Sequence, residues 1–305
     1  MNTVSIRHVF GFLAGLIAGV FIISQFAFRE NKEKDDKKFQ SSVGEFDLPV
    51  VPDTMSFSGE SVPLTRWEVR EAFDRELIYN YGFPAHISYI LKLSKRYFPV
   101  IEERLKQNNI PEDFKYLCVA ESNLQNVISK AGATGFWQFM HYTGPGFNLE
   151  INENVDERYS VIKSTDAACR FLKEAYAKFG SWTAAAASYN CGQGAYNQQA
   201  VFQQTKYYYD LQLPEETNKY VFRILSFKYL MDNAKKMGYK VNDENGYQPL
   251  NVKTINVKST IPNLAAWAFS NNTNYKMLKL LNPWMRGRSL IVKPGKSYAV
   301  RLPAE

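Results

Sequence analysis

The chain has few of the residues from which metal centres and nucleophilic sites are usually built. It contains three cysteines and three histidines in 305 residues. No CxxC pair or metal-like spacing occurs, at most one intramolecular disulfide is possible, and the histidines are too scattered for a Ser-His-Asp arrangement. We therefore expect no metal and no cofactor, and small buried thiols. The residues concerned are Cys118, Cys169, Cys191, His8, His86 and His141.

The chain also lacks a dense Lys/Arg patch interleaved with aromatic residues, and no nucleic-acid motif is present. Nucleic acid is therefore not an expected partner. The net charge of +7 and the pI near 9.1 still favour acidic partners. Anionic lipid and anionic cell-wall polymer remain as candidate acidic partners. The aromatic content of 15% fits either a groove that stacks on a sugar or an aromatic core.

One long hydrophobic run breaks the ordinary globular pattern. Residues 9–28 read VFGFLAGLIAGVFIISQFAF, which is long enough to span a bilayer as a helix. No small-x-small cleavage site follows, so residues 1–30 are predicted to be an uncleaved signal anchor, with a cleaved signal peptide as the alternative. More Lys and Arg lie after the run than before it, which favours a cytoplasmic C-terminal side and opposes an outside location.

Three further segments follow the predicted anchor. Residues 31–63 are charged and then rich in Ser, Gly and Pro, which predicts a linker. Residues 64–238 carry apolar residues at helical spacing and show no convincing strand. The predicted helices are 67–81, 86–95, 99–109, one beginning at Pro111, one capped by Ser164 and ended by Gly180, 181–189 and 214–236.

The character of the sequence changes after Gly238. Apolar alternation near residues 252–257 and 298–302 predicts two strands, and residues 262–270 and 274–281 predict two short helices. A Pro294-Gly295 turn precedes the last strand. Residues 249–305 are therefore predicted to form a small α+β domain, and the fold class of the whole chain is mainly α.

One helix carries a charge on its apolar face. Phe114, Leu117, Cys118 and Glu121 are spaced i, i+3, i+4 and i+7, so they share one face. A carboxylate on an inward face is costly unless it has a partner or faces a cleft. Desolvation raises the pKa of such a group, as suits a general acid. A buried structural ion pair explains the same pattern equally well.

Two later segments offer sugar-binding groups. Residues 129–140 read SKAGATGFWQFM, in which two close glycines precede Trp137 and Gln138, a ring and an amide that would suit an amino-sugar. A packed loop with Trp137 in the core is the alternative. Tyr189 and Asn190 then end a helix before a glycine-rich turn, which fits either a site or an ordinary helix terminus.

Taken in order, these segments resemble the catalytic domain of the soluble-type lytic transglycosylases, which have the goose-type lysozyme fold. The arrangement is most similar to the membrane-bound lytic transglycosylase D group. The resemblance covers about residues 64–236 and departs from the group at Phe136, Gly144, Ser160, Cys191 and Phe222-Arg223. It rests on Glu121-Ser122, Gly132-Ala133-x-Gly135-x-Trp137-Gln138-Phe139-Met140, Thr143, Asp156-Glu157-Arg158, Ala167-Ala168, Phe171-Leu172, Trp182, Tyr189-Asn190-x-Gly192-x-Gly194, Leu213-Pro214-Glu215-Glu216-Thr217 and Tyr220-Val221.

The resemblance implies cleavage of the β-1,4 bond between N-acetylmuramic acid and N-acetylglucosamine in peptidoglycan, with Glu121 as the single general acid and base. Among the competing carboxylates, Asp156 is expected to form a structural ion pair with Arg158, and Glu157 is assigned no role. The substrate-binding residues implied by the resemblance are Ser122, Ser129, Gly135, Trp137, Gln138, Met140, Tyr189, Asn190 and Glu216.

Residues 249–305 resemble a LysM-type glycan-binding module, with a degenerate packing domain as the alternative. The implied partners are peptidoglycan strands and, through the N-terminal helix, a membrane, with the catalytic domain in the periplasm. A hydrolytic muramidase of the same fold keeps the same glutamate, so the sequence does not separate it. A non-catalytic peptidoglycan-binding scaffold and a membrane-anchored adaptor are the non-enzymatic alternatives.

Overall fold

The structure is a computed structural model, and it describes residues 48–304. The predicted anchor and most of the predicted linker lie outside these residues. Within residues 48–304, no helix combines the length and the apolar character needed to cross a membrane. The described chain is mainly helical and ends in a unit with a two-stranded sheet.

The larger part of the described chain is a bundle of helices preceded by a hairpin. Short 3-10 turns at Gly144–Phe147, Glu157–Tyr159 and Tyr208–Asp210 connect some of the helices. The elements are β1 (Ser56–Phe57), β2 (Glu60–Ser61), α1 (Trp67–Tyr81), α2 (Pro84–Gln107), α3 (Phe114–Ser122), α4 (Val161–Phe179), α5 (Trp182–Cys191), α6 (Gln193–Phe202) and α7 (Glu215–Asp232).

Helix α5 lies at the centre of the bundle. Its residues 184–187 are four alanines with no exposed surface, and α4, α6 and α7 contact it. Because alanine has a small side chain, neighbouring helices can approach closely. Ser181 caps the helix by accepting a hydrogen bond from the N–H of Ala184.

Several helix boundaries differ from their predicted positions. Pro99 was expected to start a new helix, but it lies inside α2, which runs unbroken because buried Leu93, Ile101 and Leu105 fix both halves against the core. Helix α4 begins one turn early, since Ser160 rather than Ser164 accepts the capping hydrogen bond. Helix α6 was not predicted.

The predicted linker extends too far into the chain. Phe57 is fully buried and packs edge-to-face on Phe114, with a centroid distance of 5.3 Å. The carboxylate of Glu60 accepts hydrogen bonds from the N–H groups of Trp182 and Thr183 at the start of α5. Residues 49–63 therefore belong to the bundle, because they supply core and capping groups that a Ser/Gly/Pro composition does not reveal.

The C-terminal unit has the predicted order of strand, helix, helix and strand. Its elements are β3 (Val252–Val257), α8 (Leu264–Ser270), α9 (Tyr275–Leu281) and β4 (Tyr298–Pro303). The strands are antiparallel, with Val257 opposite Tyr298 and Val252 opposite Pro303. A second hydrophobic core lies here, and it also takes in Val155 and Tyr159 from the helical part of the chain.

Candidate active site

Glu121 lies in the last turn of α3, where the helix passes from the core to the surface. Phe114, Leu117 and Cys118 on the same face are fully buried, while Glu121 is half-buried. The helix ends at Asn123, which has the left-handed φ of 53° that asparagine adopts readily. The predicted carboxylate on an apolar face is therefore present, close to the end of its helix.

The partner of Glu121 is a tyrosine. The hydroxyl of Tyr220, a buried residue of α7, donates a hydrogen bond to Oε1 of Glu121. Burial raises the pKa of Glu121 to about 7, although this hydrogen bond and the charge of Arg223 act in the opposite direction. Near neutral pH, a carboxyl group with this pKa is present in both its protonated and its ionised form. Such a group can act as a general acid and as a general base.

Charged residues of α7 adjoin this carboxyl group. Arg223 forms ion pairs with Glu216, at 2.8 Å, and with the buried Glu76 of α1, at 3.6 Å. The charge of Glu216 raises the pKa of Glu121, whereas that of Arg223 lowers it. Because Glu216, Tyr220 and Arg223 are spaced i, i+4 and i+7, one face of α7 carries all three.

Tyr189 and Asn190, predicted to bind substrate, lie at the end of α5. The hydroxyl of Tyr189 donates to the carbonyl oxygen of Trp137 at 2.8 Å. Burial and then the negative charge of Glu121 raise the pKa of the Tyr189 phenol. Asn190 Oδ1 accepts a hydrogen bond from Thr217 Oγ1 at 2.7 Å, which joins α5 to α7.

Residues 132–140, called here the wall segment, pack on α3 beside Glu121. The carbonyl oxygen of Phe136 accepts a hydrogen bond from Ser122 Oγ at 2.8 Å. Gly135 has a φ of +86°, and a Cβ added there would lie 2.0 Å from the carbonyl oxygen of Arg158, so only glycine fits. The wall segment is therefore held against α3 on one side and against Arg158 on another.

The remaining predicted residues differ in what they offer a ligand. Gln138 is partly exposed, and its amide nitrogen donates to the carbonyl oxygens of Val127 and Gly135. Its side-chain oxygen takes no part in these two hydrogen bonds. Ser129 is exposed and its hydroxyl accepts from the N–H of Ala133 at 3.0 Å, and Met140 is half-buried.

Two of the predicted binding side chains are buried. Trp137 has no exposed surface, and its Nε1–H donates to Thr165 Oγ1 at 2.8 Å, so its ring has no free face for a sugar. This position agrees with the core alternative. The Ser122 hydroxyl is also buried and is engaged with backbone carbonyl groups. Both side chains hold the wall segment in place, because the wall turns back onto α3 and α4.

Asp156 and Arg158 form the expected ion pair. Arg158 Nη2 lies 2.7 Å from Asp156 Oδ2, and both side chains are buried. Arg158 Nη1 also donates to the carbonyl oxygens of Gly132 and Phe139, at 3.3 and 3.2 Å. The pair therefore supports the wall segment and is not available as a second acid.

Tyr220, Arg223 and Glu76 are not among the site residues that the sequence predicts. In the sequence, Tyr220 stands only among the segments that carry the resemblance, and Arg223 only as a departure from the resembled group. Their i+4 and i+7 spacing from Glu216 was a usable signal, since it places them on one face with a predicted site residue. Glu76 lies on a different helix, and no local pattern connects it with this face.

Within the part of the chain that the structure describes, no cluster of His, Cys, Asp and Glu side chains could hold a metal ion. The three cysteines are free thiols. Cys118 and Cys169 are buried, as the sequence predicted, whereas Cys191, at the end of α5, is only half-buried.

Comparison with known proteins matches two parts of the chain. Residues 98–211 match the transglycosylase SLT domain, and residues 253–305 match the soluble lytic transglycosylase C-terminal LysM-like domain. Glu121 and the wall segment lie within the first match. Tyr220 and Arg223 lie beyond its end.

Curated relatives agree with these matches. Membrane-bound lytic murein transglycosylase D of Escherichia coli K12 and that of Escherichia coli O6:H1 are each 30% identical over 147 residues, which cover 46% of this chain. A protein of Alteromonas sp. (strain M-1) named for tributyltin chloride resistance is 30% identical over 100 residues, 32% of this chain and 48% of that protein. The chain spans about a third (32%) of the length of the Escherichia coli relatives. This chain thus carries a transglycosylase SLT domain followed by the LysM-like C-terminal domain of soluble lytic transglycosylases.

Proposed function

We propose that this protein is a peptidoglycan lytic transglycosylase that acts in cell-wall remodelling. It cleaves the β-1,4 bond between N-acetylmuramic acid and N-acetylglucosamine and leaves a 1,6-anhydro end on the muramic acid. The observation that carries the proposal is Glu121, a half-buried carboxyl group with a pKa of about 7. The SLT domain match and the lytic murein transglycosylase relatives support it.

Glu121 would act twice in one turnover. In its neutral form it donates its proton to the glycosidic oxygen as the bond to C1 of the muramic acid breaks. The acetamido group of the same sugar assists by attacking C1. The resulting carboxylate then takes the proton of the 6-hydroxyl group, whose oxygen closes on C1 and displaces the acetamido oxygen. The enzyme returns to its starting protonation state without water as a reactant.

The neighbouring residues would supply the groups around this reaction. Tyr220 orients Glu121 and stabilises its charged form through their hydrogen bond. Tyr189 would stabilise the oxocarbenium-like centre with its hydroxyl oxygen. Gln138 would offer its side-chain oxygen to the acetamido N–H, and Glu216 would line the groove beside Arg223. Ser129, Met140 and Asn190 would shape the groove around these groups.

A single carboxyl group favours the transglycosylase over a hydrolytic muramidase. Ordinary glycosidases use two carboxyl groups, one of which activates water or attacks the sugar. The neighbouring carboxylate Glu216 is engaged in an ion pair with Arg223, and Glu76 is buried behind that arginine. Neither is free to activate water at the sugar, so the intramolecular 6-hydroxyl is the more accessible nucleophile.

We place the protein in the cell envelope. Its substrate lies in the periplasm, and residues 9–28 of the sequence form an apolar run of membrane-spanning length. We propose that this run anchors the chain in a membrane and that the catalytic domain acts on the periplasmic side. The relatives that are named as membrane-bound agree with an envelope location.

The deciding experiment is product analysis on purified peptidoglycan. The full chain and its Glu121→Gln variant are incubated with the polymer, and the released muropeptides are identified by mass spectrometry. We expect 1,6-anhydro ends from the wild type and a loss of at least about 100-fold in the variant. Reducing ends would identify a hydrolase instead. Binding to the polymer without any product would identify a scaffold, and neither binding nor product would favour the membrane-anchored adaptor.

A further inference from the structure

The C-terminal unit is joined to one segment of the helical bundle, residues 150–159. The main chains of the two meet directly. The N–H of Asp156 donates to the carbonyl oxygen of Trp284 at 2.8 Å, and the N–H of Arg286 donates to that of Asn154 at 2.7 Å. These are the bonds of a short antiparallel pairing, and they leave little freedom for the unit to swing on a linker.

Side chains strengthen this junction. Glu150 forms an ion pair with Lys296 at 2.9 Å and accepts a hydrogen bond from the hydroxyl of Tyr298 at 3.0 Å. The guanidinium group of Arg286 lies over the ring of Tyr159, 4.1 Å from its centroid, as in a cation–π contact. Lys296 and Arg286 of the C-terminal unit thus both contact the same segment.

The other side of residues 150–159 supports the wall segment. Arg158, held by the buried carboxylate of Asp156, donates to the carbonyl oxygens of Gly132 and Phe139. Its own carbonyl oxygen occupies the space where a Cβ of residue 135 would lie, so Gly135 and Arg158 are in direct backbone contact. A shift of residues 150–159 must therefore move the wall segment or break these hydrogen bonds.

We propose that the C-terminal unit is a positioning element for the active site: by clamping residues 150–159 it fixes Arg158 and, through Arg158, the wall segment beside Glu121. This inference rests on the proposed function for its catalytic consequence. It differs from a role in holding glycan, because it assigns the effect to contacts between the unit and the bundle rather than to a sugar-binding groove.

The Glu150–Lys296 pair is the place to test the clamp. Both side chains are partly exposed, at 21% and 48%, so a charge reversal there leaves both hydrophobic cores intact. We consider Glu150→Lys, Lys296→Glu and the double variant in which the two charges are exchanged. Lys276→Glu is the matched control, because Lys276 is an exposed lysine of the same unit, on α9.

Two measurements separate positioning from glycan binding. Amide hydrogen exchange of residues 132–140 reports on the wall segment without any substrate. Steady-state kinetics on peptidoglycan report kcat and KM separately. For each single reversal we expect faster exchange in the wall segment and a kcat lower by about 3–10-fold, with KM and binding to insoluble peptidoglycan unchanged. The exchanged pair should restore both quantities to within about twofold of the wild type.

Other outcomes overturn the inference. Unchanged exchange in residues 132–140 for both single reversals would show that the junction does not position the wall. A loss of peptidoglycan binding with an unchanged kcat would assign the unit to glycan capture instead. A loss as large in Lys276→Glu would mean that the unit itself had been damaged. Because the exchange measurement needs no turnover, it tests the clamp even if the wild type proves to be inactive on peptidoglycan.

Discussion

The protonation state of Glu121 depends on neighbours that act in opposite directions. Burial of the carboxyl group favours its neutral form, and the Tyr220 hydroxyl and the Arg223 charge favour its anionic form. Since these effects oppose each other, the group remains able to lose and regain a proton near neutral pH. The position of the balance can be moved in both directions by changing its neighbours.

Two neighbours of Glu121 should shift the alkaline limb of the pH–rate profile in opposite directions. Tyr220→Phe removes a hydrogen bond to the charged form, so the pKa of Glu121 should rise and the limb should move to higher pH. Glu216→Gln removes a nearby negative charge, so the pKa should fall and the limb should move to lower pH. The measurement is kcat from about pH 5 to 9. A shift of both limbs in the same direction would contradict this assignment.

The raised pKa of Glu121 also predicts how stability depends on pH. Its folded pKa of about 7 lies above the ordinary value of 4.5, so its contribution is fully present below about pH 4.5 and is lost as the pH rises through 7. Glu121→Gln has no such loss. We expect the variant to exceed the wild type by about 2–3 kcal/mol in free energy of unfolding at about pH 8.

Urea unfolding at several pH values checks this expectation. The advantage of Glu121→Gln should shrink steadily as the pH falls toward about 4.5, where the wild-type carboxyl group is neutral in both states. An advantage that stays constant across this range would mean that packing or hydrogen bonding, rather than ionisation, separates the two proteins.

At the scale of elements, the wall segment is shaped by backbone contacts more than by its side chains. Gly132 and Gly135 have the same φ of +86°, but only Gly135 faces another backbone, that of Arg158. Gly132 has no atom within 4 Å of an added Cβ. The two glycines therefore have the same φ, but only Gly135 is in close contact with the backbone of another segment.

This difference makes the two glycines a matched pair of substitutions. Gly132→Ala should lower the free energy of unfolding by about 1–2 kcal/mol, because alanine is strained in the left-handed backbone conformation. It should leave activity near the wild-type level. Gly135→Ala should cost more than about 3 kcal/mol, or displace Arg158 and lower kcat strongly, because its Cβ would lie 2.0 Å from a carbonyl oxygen. Urea unfolding and kcat are measured for both variants. Equal effects of Gly132→Ala and Gly135→Ala would contradict the close contact between Gly135 and Arg158.

At the scale of the whole molecule, the segment before the first helix joins distant parts of the chain. Glu60 accepts hydrogen bonds from Ser181 Oγ at 2.8 Å, Thr183 Oγ1 at 2.6 Å and two N–H groups of α5. Its carboxylate lies at the positive end of the helix on which Tyr189 stands. The hairpin thus stabilises the central helix of the bundle.

Glu60→Ala should therefore destabilise the whole bundle. We expect a loss of about 2–4 kcal/mol, since a capping carboxylate and its charge-assisted hydrogen bonds disappear together. Thermal and urea unfolding of the full chain measure this loss. The control is Glu71→Ala, an exposed glutamate of α1, for which we expect a change within about 0.5 kcal/mol. Equal effects of the two variants would show that the cap adds no stability.

Much of this molecule follows from local pattern. The 3.6-residue spacing predicted α1 at its observed bounds, and it placed Glu121 on the inward face of α3. The alternation after residue 250 predicted the strands of the C-terminal unit. The break at Pro99 was wrong because packing of buried side chains on both sides of the proline outweighs the lost hydrogen bond.

The sequence by itself determined the helical class, the carboxylate on an apolar face and the order of the site segments, because each depends on residues close together in the chain. Only the tertiary structure decided that Tyr220 is the partner of Glu121, that Trp137 lies in the core, and that the C-terminal unit is hydrogen-bonded to residues 150–159. Tyr220 is 99 residues from Glu121. Contacts over such distances depend on how whole helices pack, which no local periodicity records.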